Sequence, residues 1–270
     1  MNKNSICWLV GLAVLLTILS GCASKSSQPQ APTAYDFVMA DVQRKADEAN
    51  IETKPATIER RASARVDVAM AQYQAGGYDR AFVAAQEATS LDGKNLNAWI
   101  VLALSQEKLM VSFQDISQTY NTALQKFPGQ VDLMHNYGWF MCRNSQEVGG
   151  LDLLSKAATS NQNASPSRTF LAMSKCAVKS NANAAAEYAR RALDLQPQWA
   201  EAWLSLGQAQ ASQGMWEKSH QSILKYFENE NKPSSEAIQL ALKVATARND
   251  QFHINLYTNQ LNTIAPHRLK

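Results

Sequence analysis

Trp99-Ile100-Val101-Leu102-Ala103 and Trp203-Leu204-Ser205-Leu206-Gly207 are one phrase written twice: a tryptophan, a leucine three residues on, and a small residue to close. The small residue sets the rhythm. Ala69, Ala103, Gly138, Ala172, Gly207 and Ala241 recur at intervals of 34 or 35 residues. A second series, Ala88, Ala123, Ala157, Ala192, Tyr226 and Leu261, keeps the same interval and is offset from the first by 19 or 20 residues. A fixed period of this length marks a stacked array of identical units, and the offset leaves room for two helices in each. Antiparallel helices that pack closely need small side chains where their axes cross, with a larger residue at the next turn filling the groove. Strand-like alternation is scarce and only 11 Gly and 8 Pro punctuate 270 residues. The expected fold is therefore all-α.

The repeats resemble the tetratricopeptide family. The pattern is carried by Trp99 with Leu102 and Ala103, Tyr137 with Gly138, Trp203 with Leu206 and Gly207, the turn Gly76-Gly77-Tyr78 with Ala81, and the closing prolines Pro128, Pro197 and Pro266. Each proline stands just past a helix, where it cannot continue the hydrogen-bond ladder. The resemblance implies a right-handed superhelix of about six repeats over residues 62–270, preceded by a helical lead-in at 34–61 with a helix near 35–50. Tyr226 and Leu261 replace the expected alanine. Repeats five and six are accordingly expected to pack more loosely or to act partly as a cap.

In this family the first helices line a concave wall, with inward positions three residues before, one after and four after the small residue. Here those positions read Val66, Met70, Tyr73; Ile100, Leu104, Glu107; His135, Trp139, Cys142; Thr169, Met173, Cys176; and Leu204, Gln208, Ala211. The first three repeats are apolar and aromatic where a solenoid without a partner would place charge. Met70, Tyr73, Ile100, Leu104, His135 and Trp139 are thus the candidate partner-binding groove. Such a groove suits an amphipathic or extended protein segment. The competing reading is self-burial, inside the superhelix or against the lead-in helix.

The N-terminus carries a different signal. Lys3 supplies a charged start, residues 6–19 an apolar run, and Ser20-Gly21 small residues before Cys22, the layout of a cleaved export signal. The run of 14 residues is short of the roughly 20 that cross a bilayer. Leu19-Ser20-Gly21-Cys22 resembles the lipobox of bacterial lipoproteins, which implies cleavage after residue 21 and lipidation of Cys22. Ala23 and Ser24 follow where a lipoprotein retained at the inner membrane carries Asp, so the implied destination is the outer membrane, facing the periplasm. Residues 22–33 hold almost no apolar surface and are expected to form a flexible tether. Once residues 1–21 are removed Lys3 is lost, and 25 basic residues face 23 acidic ones without a long single-sign run. Nucleic acid is not an expected partner.

Cys142 and Cys176 stand four residues after Gly138 and Ala172, at the same position of adjacent repeats. The periplasm oxidises thiols, which favours a disulfide over metal binding or a free nucleophile. Against it stands the spacing of packed helix axes, about 8–10 Å, where a bridge needs α-carbons within about 7 Å. His135, His220, His253 and His267 fall on different repeats at no metal-ligand spacing, and no phosphate loop or nucleophile elbow is present. A His135–Cys142 thiolate pair is conceivable, but a disulfide removes its nucleophile. No enzyme activity, metal or cofactor is expected.

A narrower resemblance lies in repeat three, where His135-Asn136-Tyr137-Gly138-Trp139-Phe140-Met141-Cys142 is similar to the Asn-Tyr-Gly-x-Phe stretch of the type IV pilus biogenesis lipoproteins, the PilF/PilW pilotins. The layout agrees: lipid cysteine, short tether, six repeats. The resemblance implies a partner, the outer-membrane secretin, whose delivery and ring assembly the family promotes. Two other classes use such repeats, a lipoprotein of the outer-membrane barrel assembly machinery and an adaptor for peptidoglycan enzymes.

Overall fold

The computed structural model describes residues 55–264. The signal segment, Cys22, the tether, the 35–50 helix and Pro266 all lie outside the described residues. Twelve helices follow one another, with no strand among the described residues: α1 (Pro55–Gln74), α2 (Tyr78–Leu91), α3 (Leu96–Lys108), α4 (Phe113–Lys126), α5 (Val131–Arg143), α6 (Glu147–Thr159), α7 (Pro166–Ala177), α8 (Ala182–Leu195), α9 (Ala200–Ser212), α10 (Trp216–Asn229), α11 (Ser235–Ala247) and α12 (Gln251–Ile264). They form six pairs, each packed on the next, which is an all-α tetratricopeptide solenoid. The expected boundary at residue 62 falls inside α1, which runs unbroken from Pro55.

The small residues sit where the helices of a pair meet. Ala69, Ala103, Ala88, Ala123, Ala157 and Ala192 are fully buried. At Gly138 the approach is closer than at Gly207: a Cβ there would stand 2.8 Å from the Gly150 carbonyl oxygen and 2.9 Å from Leu154 Cγ. α5 and α6 therefore cross backbone against backbone, which only glycine permits.

The turns inside the pairs share one closure. Gly76, Met110, Ser145, Gly214 and Asn249 have φ between 53° and 79°. The next residue in each case, Gly77, Val111, Gln146, Met215 or Asp250, donates its N–H to the carbonyl five residues back at 2.9–3.1 Å. This is the Schellman closure, which satisfies orphan carbonyls at a helix end. Repeat four departs from it: Asn181 donates to the Ala177 carbonyl, and its side chain accepts from Ala184 N to cap α8. The loops that join one pair to the next are pinned by the signature tryptophans, Trp99 Nε1 donating to Gly93 O at 3.0 Å and Trp203 Nε1 to Pro197 O at 2.8 Å.

Repeat five does not loosen at Tyr226. Its ring is buried against Ala200 and Ala237, and its hydroxyl accepts from Ser234 N at 3.0 Å. The volume gained by replacing an alanine is returned by small residues on the flanking helices. Leu261 is half-buried against the last cluster, which includes Ile238, Val244 and Tyr257.

Candidate partner-binding groove

The first helices α1, α3, α5, α7, α9 and α11 follow the period, so their inward positions can be read one by one. Met70 is 40 % exposed, and Leu104 is half-buried. Tyr73 packs on Phe82, Val101 and Leu102 and meets Tyr78 edge to face at 5.3 Å. Ile100 leans on the Leu133–Tyr137–Phe140 cluster. Trp139 is half-buried, resting on Met173 and Cys176 with the Arg143 guanidinium 5.6 Å from its ring centre. Val66, Thr169, Met173 and Ala211 are buried in the stack.

His135 departs from the expectation of a groove wall. It is 6 % exposed, covered by the next first helix, α7. Arg168 Nε donates to His135 Nε2 at 3.0 Å; a guanidinium only donates, so the imidazole proton resides on Nδ1, which donates to Thr169 Oγ1 at 3.1 Å. Burial, with the Arg168 charge behind it, lowers its pKa to about 4. The ring is a neutral linker between repeats three and four.

Two further links span the wall. Glu107 receives the Tyr120 hydroxyl at 2.6 Å and pairs with Arg143 of the next repeat. Burial, followed by the Glu107 charge, holds the Tyr120 phenol well above its usual range. Cys142 and Cys176 are joined by a disulfide with α-carbons 5.3 Å apart. Axis spacing overstates this distance, because facing α-carbons each stand about 2.3 Å off their axis toward the partner. Cys142 Sγ lies against Gly150, where an added Cβ would come within 2.5 Å of it.

The open part of the concave wall lies further along the chain than expected. A cleft of about 690 Å³ is lined by Trp139, Lys175, Trp199, Leu204, Gln208 and Lys232, with Glu230 and Glu236 at its edge. Lys175 pairs with Glu201 across repeats four and five. Trp139 is the one residue of the expected six that lines it; Met70, Tyr73, Ile100 and Leu104 lie on the repeats before it. Trp199, Glu230, Lys232 and Ser234 belong to loops, which the helical period does not index, Glu236 lies in the first turn of α11, and Lys175 points inward from a position between the enumerated ones. Two indole rings, an aliphatic floor and a rim bearing both signs of charge can hold an extended or helical peptide segment. Among the described residues no group of His, Cys, Asp and Glu is placed to hold a metal ion, and no helix is long and apolar enough to cross a membrane.

No protein-family model and no curated protein sequence matches the chain. Among solved structures it is similar to PilW, a widely conserved type IV pilus biogenesis factor, at 25 % identity and a TM-score of 0.71, covering 76 % of this chain and 94 % of that one. It is similar in fold to Pseudomonas aeruginosa PilF, at 18 % identity and a TM-score of 0.68, over 79 % of this chain and 96 % of that one. A tetratricopeptide repeat protein from Parabacteroides merdae matches at 13 % identity and a TM-score of 0.61, over 87 % and 94 % of the two chains.

Proposed function

We propose that this chain, a tetratricopeptide-repeat protein of the PilF/PilW type, acts in type IV pilus biogenesis as a lipid-anchored pilotin that binds the outer-membrane secretin and promotes its localisation and assembly. One observation carries the role in pilus biogenesis: the fold likeness to PilW extends over 94 % of that protein at 25 % identity. The lipobox at Cys22 and the His135–Cys142 stretch support the finer reading.

In this reading a secretin segment lies along the concave wall, with an apolar side chain between Trp139 and Trp199 and polar groups on Lys175 and Lys232. The acyl anchor holds the bound subunit at the outer membrane and raises its local concentration there, which favours ring assembly. Affinity capture on the intact lipoprotein from detergent-solubilised envelope tests it. The secretin is the expected capture. Recovery of the barrel assembly core or of cell-wall hydrolases in its place would reassign the protein to one of those two classes.

A further inference from the structure

Arg143 closes α5 one turn beyond Trp139 and is not among the residues that line the cleft. Its guanidinium lies over the Trp139 ring, 5.6 Å from the centre, and pairs with Glu107 of α3. An ion pair between two exposed side chains contributes little. This one is exposed on one side only: the Glu107 side chain is 8 % exposed, against 45 % for Arg143. A carboxylate so far out of water needs a charge partner, so the place of the guanidinium is set by Glu107. The carboxylate is set in turn from the core. It receives the Tyr120 hydroxyl at 2.6 Å, and Tyr120 is fully buried and stacked on Tyr137 at 4.9 Å.

Tyr120, Glu107, Arg143 and Trp139 thus form a chain that starts in the core of repeat two and ends at the cleft. Each link is directional: a hydroxyl on a carboxylate, a carboxylate on a planar guanidinium, and that plane over an indole. The other tryptophans with a fixed place are held differently. Trp99 and Trp203 pin their loops through Nε1 hydrogen bonds to backbone carbonyls. Trp139 makes no such bond among the described residues. Packing on the cluster of Met173 and Cys176 seats the ring, and the guanidinium is the polar group left to set its plane.

We infer that Arg143 is a positioning residue for partner binding: without lining the cleft, it fixes the Trp139 indole in the orientation that receives the partner's apolar side chain. The identity of that partner rests on the reading proposed above; the geometry of the clamp does not. Repeat two lies before the cleft and contributes no residue to its lining, yet through Glu107 and Arg143 it sets one of the two aromatic walls. With the clamp removed, the indole is free to sample other orientations, and a partner has to order it on binding.

The test uses the full lipidated chain in detergent micelles, labelled with 5-fluorotryptophan, with the fluorine lines of Trp139 and Trp199 assigned by replacing each with Phe. Arg143→Met, Glu107→Gln and the double variant are compared with wild type. The double variant strands no buried charge, so it serves if Arg143→Met alone does not fold. In each variant the Trp139 line is expected to broaden or split, as a ring exchanging between orientations does, while the Trp199 line keeps its width. The Kd for detergent-solubilised secretin should rise about three- to tenfold, the equivalent of ordering one side chain at an interface. The double variant should bind no more weakly than the weaker single one. Arg143→Lys, which keeps the charge but not the plane, should fall between Arg143→Met and wild type. A single narrow Trp139 line in the folded double variant overturns the inference, and so does a broadened line with wild-type affinity. A wild-type chain that does not bind the secretin sinks the pilotin reading instead, and the Trp139 line then decides the inference by itself.

Discussion

Gly149 and Gly150 are adjacent in the same helix, and the structure predicts opposite outcomes for the same substitution. In Gly150→Ala the new methyl would meet Cys142 Sγ at 2.5 Å, Gly138 O at 2.7 Å and Cys142 N at 3.0 Å. Two of those atoms are backbone and the third is tied into a disulfide, so α6 must back away from α5 by several tenths of an ångström. Overpacking of this kind costs about 1–3 kcal/mol, partly offset by the alanine's better helix propensity of up to about 1 kcal/mol. The expected result is a loss of about 1–2 kcal/mol, or about 2–8 °C in Tm for an array of this size. In Gly149→Ala the methyl would meet only the terminal methyl of Met141 at 2.5 Å, the free end of a flexible side chain that can swing aside. Propensity then prevails, and stability should rise by about 0–1 kcal/mol. Thermal and urea unfolding of the two variants, monitored by circular dichroism, decides the matter. A Gly150→Ala protein that melts at or above Gly149→Ala would refute the backbone-to-backbone crossing of α5 and α6.

Trp139→Ala and Leu204→Glu, both at residues that line the cleft, should each weaken secretin binding about tenfold or more in a direct titration, with the melt near wild type; loss of fold in step with binding would make these side chains core. Cys176→Ser should lower stability by about 3–4 kcal/mol, the chain-entropy value for a 34-residue loop, with a matching drop in wild type when reductant is added during urea unfolding. His135 is neutral when folded and its pKa is depressed to about 4, so its contribution is complete above pH ~6.5 and is lost as pH falls from there toward 4; His135→Gln should flatten that part of the stability–pH curve. Met110→Gly should stabilise the fold by about 1 kcal/mol by relieving the left-handed backbone, measurable as a rise in urea midpoint.

The period was legible because it is a steric record: wherever two axes cross, the chain can place only a small residue, and the reader needs nothing but counting. Features that depend on a third element escaped it. Tyr226 breaks the count, and what accommodates it is the small size of Ala200 and Ala237, residues whose proximity no local pattern reveals. His135 has the inward register, yet Arg168 and Thr169, more than 30 residues on, fold over it. The groove shifted for a related reason. Helix positions can be indexed by the repeat, but Trp199, Glu230, Lys232 and Ser234 are loop residues, and they join the helix residues Trp139, Lys175, Leu204 and Gln208 in walling the open cleft. The one strained methionine sits at a turn whose left-handed backbone is announced in repeats one and five by glycine and in repeat two by nothing at all.

The bridge from Cys142 to Cys176 has a mechanical meaning that its contribution to stability does not capture. In a linear array each repeat touches only its neighbours, so bending and fraying are summed over independent joints. Fixing the joint between repeats three and four leaves a rigid central block with two arms that flex separately. Trp139 rests on Cys176 at that block, so an aromatic anchor of the cleft is held at a fixed aperture while repeats one and two on one side and five and six on the other adjust. A long, variable segment can then be gripped first at the middle and wrapped outward. In a reducing compartment the same chain would become a uniformly pliant spring, and the grip would lose its point of purchase.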